Sequence, residues 1–109
     1  MAATSMVYVG ALRGEGTLVG TGDGCQLGRA EYDIGGFLDH TKAIVASGEL
    51  RMQPQALDQA FGRRDLVLQT DTGLSLAVRF SGKRPNAGPA AHVDVTAGLP
   101  SRAKWPRRR

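Results

Sequence analysis

The chain has 109 residues, 41% of them apolar, with one cysteine and a formal net charge of +4. This length predicts one domain, and the single Cys25 excludes an internal disulfide. No apolar stretch approaches the roughly 18 residues of a membrane span, and the N-terminal segment lacks the basic region of a signal peptide. We therefore expect a cytoplasmic protein with no membrane partner.

Glycine is unusually frequent, since the 15 glycines are about double the usual share. Glycines scattered between short apolar runs are typical of tight turns and bulges, which favours a mainly β fold. The pattern predicts a small antiparallel β-barrel of six to seven strands with one short helix at about 54–61. This barrel domain spans residues 1–100.

The first half of the chain is predicted to be β structure throughout. A strand at 6–13 continues or restarts at 16–20, and the glycine-rich segment 21–24 forms a turn. The next strand, at 25–34, changes its inward phase at Gly28, which predicts a β-bulge there. Residues 35–42 are expected to be a connection.

The strand predicted at 43–52 has the clearest alternation of apolar and polar residues in the chain. In the helix that follows, Pro54 suits the first helical position and Gly62 can end the helix in a left-handed conformation. A helix of about two turns is not stable alone, so it must cover one end of the barrel. A five-stranded OB-like barrel is a candidate because that fold also inserts a helix between later strands.

Residues 65–80 are predicted to form a hairpin, followed by a mobile loop at 81–90 and a last strand at 91–99. The hairpin contains Asp71-Thr72-Gly73, the tripeptide that carries the catalytic carboxylate of aspartic proteases. If these three residues form the loop, Leu68 faces Leu76 and apolar residues meet on one face. Gly73 then occupies the position of such a loop that requires positive φ. We interpret the motif as a turn, because a protease would also need a second carboxylate sharing a proton.

Other reactive residues do not converge on a catalytic set. His92 and Asp94 share a strand face, and His40 follows Asp39 in a connection, so an enzyme site near His92 and Asp94 is a second alternative. No spacing typical of metal ligands is present. Cys25 is interpreted as a small buried or edge residue. We therefore predict no catalytic residue, no metal site, no cofactor and no enzymatic activity.

The positive charge is concentrated in the segment 101–109. Residues 1–101 contain nine Lys and Arg and ten Asp and Glu, a net charge of −1, whereas the last eight residues carry +5. Lysine and arginine release counterions from phosphates, and an exposed tryptophan can stack on a base. We expect a disordered basic tail that contacts nucleic acid, another polyanion or an acidic protein through Arg102, Lys104, Trp105, Arg107, Arg108 and Arg109. A tail that only solubilises the chain is the alternative for this segment.

The best functional interpretation is a small non-enzymatic binding module that uses this basic tail. The alternative is a protein-protein interaction or structural subunit acting through a sheet face or edge, with dimerisation possible. The tyrosines and phenylalanines are expected to lie mostly in the core, without a row of exposed aromatic rings.

Overall fold

The computed structural model of the chain describes residues 7–81, 90–100 and 105. Its helix α1 (Pro54–Ala60) lies between the third and fourth of six strands, which are β1 (Val7–Gly20), β2 (Cys25–Leu38), β3 (Ile44–Arg51), β4 (Leu66–Thr70), β5 (Ser75–Phe80) and β6 (Ala90–Ala97). All neighbouring strands are antiparallel, and the sheet closes into a barrel in the order β1-β2-β3-β6-β5-β4. The predicted mainly β barrel with one short helix is confirmed. The barrel has six strands, one more than the five of the OB-fold that was a candidate.

Strands β1 and β2 form a long hairpin that continues further than the sequence predicted. Residues 16–20 continue the first strand, which is one of the two predicted alternatives. The predicted connection beginning at residue 35 is wrong, since Gly35 pairs with Ala11 and Gly36 with Gly10. The glycines here mark close approach rather than chain breaks. A Cβ on Gly16 would lie 2.4 Å from the carbonyl oxygen of Gln69 on β4. Glycine therefore lets neighbouring strands of the barrel come together.

The bulge predicted at Gly28 is confirmed. Leu18 pairs with Gly28 and Val19 pairs with Gln26, which leaves Leu27 as the extra residue of β2. A second irregularity lies between Tyr8 and Gly10 near the start of β1, where Val9 is the extra residue. Each bulge changes which residues of the strand face the interior.

The barrel interior is filled by aliphatic side chains from every strand. Alternate residues point inward, as in β3, where Leu50 is fully buried and Glu49 and Arg51 are exposed. On β6, Val93 and Val95 are both buried. The large side chains with the least exposure are Leu18, Ile34, Leu50, Leu57, Leu66, Leu68, Leu76 and Val93.

Helix α1 covers the end of the barrel where β1 ends and β2 begins. Its Leu57 and Ala60 are fully buried, and Ala56 packs near Gly28 at the start of β2. Pro54 lies in the first turn of the helix as predicted. The chain leaves the helix through Gly62 at φ +95°, which confirms the predicted helix and its termination.

Trp105 closes the opposite end of the barrel. Its six-membered ring lies against Gly36, where an added Cβ would be 2.5 Å from Cη2. Trp105 is 3% exposed and belongs to the same core cluster as Leu12, Ile34 and Val95. Since Gly36 pairs with Gly10 and Ala46, this is the end where β1 and β3 begin and β2 ends. The barrel is thus closed by α1 at one end and by Trp105 at the other.

Candidate binding surfaces

The Asp-Thr-Gly motif forms the turn between β4 and β5. Leu68 pairs with Leu76 as predicted, the Thr70 amide donates to the Leu74 carbonyl at 2.8 Å, and Gly73 has φ +100°. The three-residue loop with glycine in a left-handed conformation is therefore confirmed. The Asp71 amide also donates to the Glu15 carbonyl on β1 at 2.9 Å, which holds the turn against the barrel.

The Asp71 carboxylate is engaged by an arginine on the outer surface. Arg29 Nη1 donates to Oδ1 at 3.0 Å and Arg29 Nη2 donates to Oδ2 at 2.7 Å. This bidentate pair lowers the pKa of Asp71 below its ordinary value. A carboxylate held ionised by arginine is a poor partner for the shared proton that aspartic proteases require.

The structure does not bring His40 and His92 together. His40 lies in the turn before β3. His92 lies on β6 and pairs with Glu49 of β3. Glu49 is five residues after the first residue of β3, which places it roughly 17 Å along the strand. His92 Nε2 lies 3.8 Å from Asp94 Oδ1, and both side chains are about half exposed. Among residues 7–81, 90–100 and 105, no group of three or more His, Cys, Asp and Glu side chains could hold a metal ion.

Asp39 has a structural role in the β2–β3 turn. Its Oδ1 accepts hydrogen bonds from the Thr41 hydroxyl at 2.6 Å, the Thr41 amide at 2.9 Å and the Ala43 amide at 3.1 Å. These bonds lower the pKa of Asp39, with the Thr41 hydroxyl as the largest cause. The carboxylate is therefore used to shape the turn.

Cys25 is an exposed free thiol at the start of β2. Of the two predicted positions, buried or edge, the buried one is wrong. Cys25 pairs with Gly20 in the last pair before the turn at 21–24. The Cys25 amide donates to Asp23 Oδ1 at 3.2 Å.

An arginine network that the sequence did not predict fixes this same turn. Arg63 donates to Asp23 Oδ1 at 2.9 Å and to both carboxylate oxygens of Asp65 at 2.9 and 2.8 Å. Asp65 Oδ2 also accepts from the Gly22 amide at 2.7 Å. The Arg63 hydrogen bonds are the main cause that lowers the pKa of Asp65 to about 2. Arg63 is thus a structural cation that joins the 21–24 turn to Asp65.

The described part of the chain is acidic. It contains seven Lys and Arg and ten Asp and Glu, which gives −3 without histidine. The remaining seven basic residues, and no acidic residue, lie at positions 83, 84, 102, 104 and 107–109. The excess of positive charge therefore belongs to segments attached to the barrel and not to its wall.

Trp105 corrects one expectation for the basic segment. Its ring is buried, and its Nε1–H donates to the Pro100 carbonyl at 3.0 Å, so it is not an exposed ring available for stacking on a base. The residues Arg102, Lys104, Arg107, Arg108 and Arg109 lie outside the described residues, as do positions 82–89 of the predicted mobile loop. Their binding role and the predicted disorder of the tail stay predictions.

An exposed aromatic pair lies instead on the outer wall of the barrel. Tyr8 on β1 is 50% exposed and pairs with Phe37 on β2, with ring centroids 5.5 Å apart and planes at 61°. Val45 on β3 is the register neighbour of Phe37 and is also exposed. The expectation that these aromatic residues lie mostly in the core holds for Tyr32 and is wrong for Tyr8. We call Tyr8, Phe37 and Val45 the outer aromatic patch.

Comparison with protein-family models, with curated protein sequences and with solved structures returned no match. The seven-residue α1 is too short to cross a bilayer, and the described residues contain no other helix that could do so.

Proposed function

We propose that the protein is a small non-enzymatic binding module that contacts nucleic acid or another polyanion through its basic segment, residues 101–109. The observation that carries the proposal is the position of Trp105. It is buried in the barrel end, and five basic residues flank it in the sequence without any acidic residue between them. A cytoplasmic location is part of the same proposal.

The anchored tryptophan supports binding by limiting the freedom of the flanking cations. An unattached basic tail loses conformational entropy when it is ordered on a ligand. Burial of Trp105 already fixes one residue in the middle of the segment, so part of that cost is met on folding. The role of Trp105 in this proposal is therefore to hold the basic segment at one barrel end.

Binding of this kind is driven by release of counterions from phosphates. If all five basic residues contact phosphates, the logarithm of the association constant should fall against the logarithm of salt concentration with a slope of roughly −3.5 to −4.5. The described part of the chain carries a net negative charge and adds no net attraction. Most of the salt dependence should therefore belong to the basic segment, which carries five of the seven remaining basic residues.

The test is fluorescence anisotropy of labelled single- and double-stranded DNA and RNA across a salt series. In the decisive variant, Arg102, Lys104, Arg107, Arg108 and Arg109 are all replaced by Gln while Trp105 is retained. Truncation before residue 102 is less informative because it also removes the tryptophan that closes the barrel. We expect the five-glutamine variant to lose both the binding and the salt slope.

A matched control neutralises cations of the barrel wall. Arg51, Arg64 and Arg79 are exposed, and they form no ion pair within the part of the chain that is described. The variant with all three changed to Gln should bind like wild type. The proposal is wrong if wild type does not bind at low salt, or if the control variant loses as much affinity as the five-glutamine variant.

The outer aromatic patch favours a second candidate function, a protein-interaction subunit that docks through a sheet face. The edge version of this alternative would use the first half of β1, because among the described residues β1 pairs with β4 only over Gly16–Gly20. A complex or dimer whose affinity does not depend on salt would favour this candidate. Sedimentation analysis at low and high salt would detect self-association of that kind.

A further inference from the structure

We infer that Tyr8 and Phe37 form a stacking surface for unpaired bases, so that the polyanion contacted by this module is single-stranded nucleic acid. The inference rests on the proposed function, since the basic segment supplies the phosphate contacts. The stacking surface itself consists of described residues of the barrel wall.

The two rings are held in position by the strands beneath them. Tyr8 and Phe37 are direct partners across β1 and β2, and both rings lean over Gly35. An added Cβ on Gly35 would lie 3.4 Å from Phe37 Cε1 and 3.9 Å from Tyr8 Cε1. Because half of Tyr8 is exposed, the ring pair offers an ordered aromatic surface to solvent without further rearrangement.

The residues next to the rings are small. The neighbouring row across β1, β2 and β3 consists of Ala11, which is buried, Gly35 and Ser47. Gly35 and Ser47 carry no large side chain that would stand between the ring faces and another planar group. Base–aromatic stacking needs such a face and tolerates any base sequence.

A groove of about 450 Å³ runs beside Phe37 and reaches Val45, Ser47 and Asp94. This size is within the range of small-ligand sites. Asp94 would repel a phosphate, but a carboxylate there can accept a hydrogen bond from the exocyclic amino group of a base. The groove therefore suits the base of a nucleotide, with the phosphates directed away from it.

The basic segment is attached at the same end of the barrel. Trp105 packs against Gly36, the residue next to Phe37. Five basic residues flank Trp105 in the sequence. The inference requires that phosphates bound by this segment and a base stacked on Tyr8 belong to the same short oligonucleotide.

A duplex cannot use this surface, because its bases are already paired and stacked inside the helix. The inference thus predicts tighter binding of single strands than of duplexes at equal salt. It also predicts that loss of the Tyr8 ring weakens single-strand binding by about 5- to 100-fold, the range that corresponds to one stacked base.

The test measures anisotropy of labelled oligo-dT, oligo-dC and a duplex of equal length with wild type, Tyr8→Leu and Tyr8→Phe. Leucine keeps an apolar side chain without a ring, and phenylalanine keeps the ring without the hydroxyl. We expect Tyr8→Leu to weaken binding of the single strands only, and Tyr8→Phe to match wild type. Because Tyr8 is exposed, both variants should fold, which their melting curves check.

Wild-type protein provides a second readout that needs no substitution. Stacking on a base should shift the ring proton resonances of Tyr8 and Phe37 when an oligonucleotide is added. The same shifts should be absent on addition of the duplex.

The outcomes separate this inference from the proposed function. If Tyr8→Leu binds single strands like wild type while the five-glutamine variant does not bind, the basic segment binds polyanions and the stacking inference is overturned. If Tyr8→Leu changes self-association and leaves oligonucleotide binding intact, the patch is a protein contact and the inference is again overturned. If wild type binds no nucleic acid at low salt, both proposals fail.

Discussion

Replacing Gly36 by alanine should expel the Trp105 ring from the end of the barrel. The added Cβ would lie 2.5 Å from Cη2, 2.7 Å from Cζ3 and 2.8 Å from Cζ2. All three distances are shorter than real carbon contacts, which are about 3.5–4.0 Å at their optimum. The three distances are nearly equal, so the methyl group would meet the face of the ring. Turning the ring within its own plane therefore cannot relieve the overlap.

The free-energy cost of this displacement should not exceed the cost of removing the buried tryptophan side chain altogether. Removal of a buried tryptophan side chain costs about 3–5 kcal/mol, and loss of the hydrogen bond from Nε1 to Pro100 is part of that amount. A domain of this size has a free energy of unfolding of about 5–10 kcal/mol. Gly36→Ala should therefore remove a large fraction of the stability, up to the effect of Trp105→Ala. The double variant should be little worse than Trp105→Ala alone, because both changes remove the same contact.

Denaturant unfolding followed by circular dichroism and by tryptophan emission measures both effects. Trp105 is the only tryptophan of the chain, so emission reports this ring alone. We expect wild type to emit as a buried indole and Gly36→Ala to emit as a solvated one. Gly35→Ala is the matched control, since a Cβ there meets neighbouring atoms at 3.4 Å or more. If Gly36→Ala and Gly35→Ala have the same stability and emission, Trp105 does not close the barrel against Gly36.

Three further changes test other parts of the structure. Gly73→Val should lower the free energy of unfolding by about 1–2 kcal/mol, because a β-branched residue resists the φ of +100° at this turn. An unchanged denaturation midpoint would disprove the assignment of the loop. The ion pair with Arg63 depresses the pKa of Asp65 to about 2. The stabilisation by this pair should therefore be complete above about pH 4 and lost as the pH falls through 2. When the melting temperature is measured against pH, Asp65→Asn should remove this acid-sensitive loss of stability, whereas Glu31→Gln should not. Asp71→Asn should leave the melting temperature near that of wild type, because the pair with Arg29 is exposed, and a peptide-cleavage assay in which wild type cleaves and this variant does not would restore the protease interpretation.

Local patterns were sufficient to predict the elements whose partners are close in sequence. The β4–β5 hairpin follows from the match of Leu68 with Leu76 and from a glycine at the residue that needs positive φ. Strand β3 was likewise predicted from its alternation of apolar and polar residues, and α1 from the proline at its start and the glycine at its end. In each of these elements the residues that determine the conformation lie within about ten positions of one another.

The errors concern residues whose partners are distant in the chain. Gly35 and Gly36 have the composition of a turn, yet Gly36 is a strand residue that makes room for a tryptophan 69 positions later. Trp105 lies in a basic, proline-containing segment, and nothing local to it indicates burial. The exposure of Cys25 could not be predicted either, since it depends on where the β1–β2 hairpin ends relative to the rest of the barrel.

The outer aromatic patch was missed because of a single bulge. From Gly10 onward the even-numbered residues of β1 face the interior, and the same alternation would place Tyr8 inside. The extra residue Val9 shifts the register, so that Tyr8 pairs with Phe37 on the outer wall. A one-residue change of register moves a side chain to the other face. Gly10 (φ +153°) lies beside this bulge as Gly28 (φ +149°) lies beside the bulge of β2, so β1 does contain a glycine signal that the alternation of Val7 and Val9 concealed.

The position of Trp105 after all six strands has a consequence for the order of folding. Chains begin to fold from their N-terminal part during synthesis, so the wall of the barrel can assemble before the residue that seals one of its ends has left the ribosome. Until then the interior around Gly36 is open to water and to chaperones. In the finished protein, docking of this ring should be the last step of folding, and its release should be the earliest opening seen by hydrogen exchange.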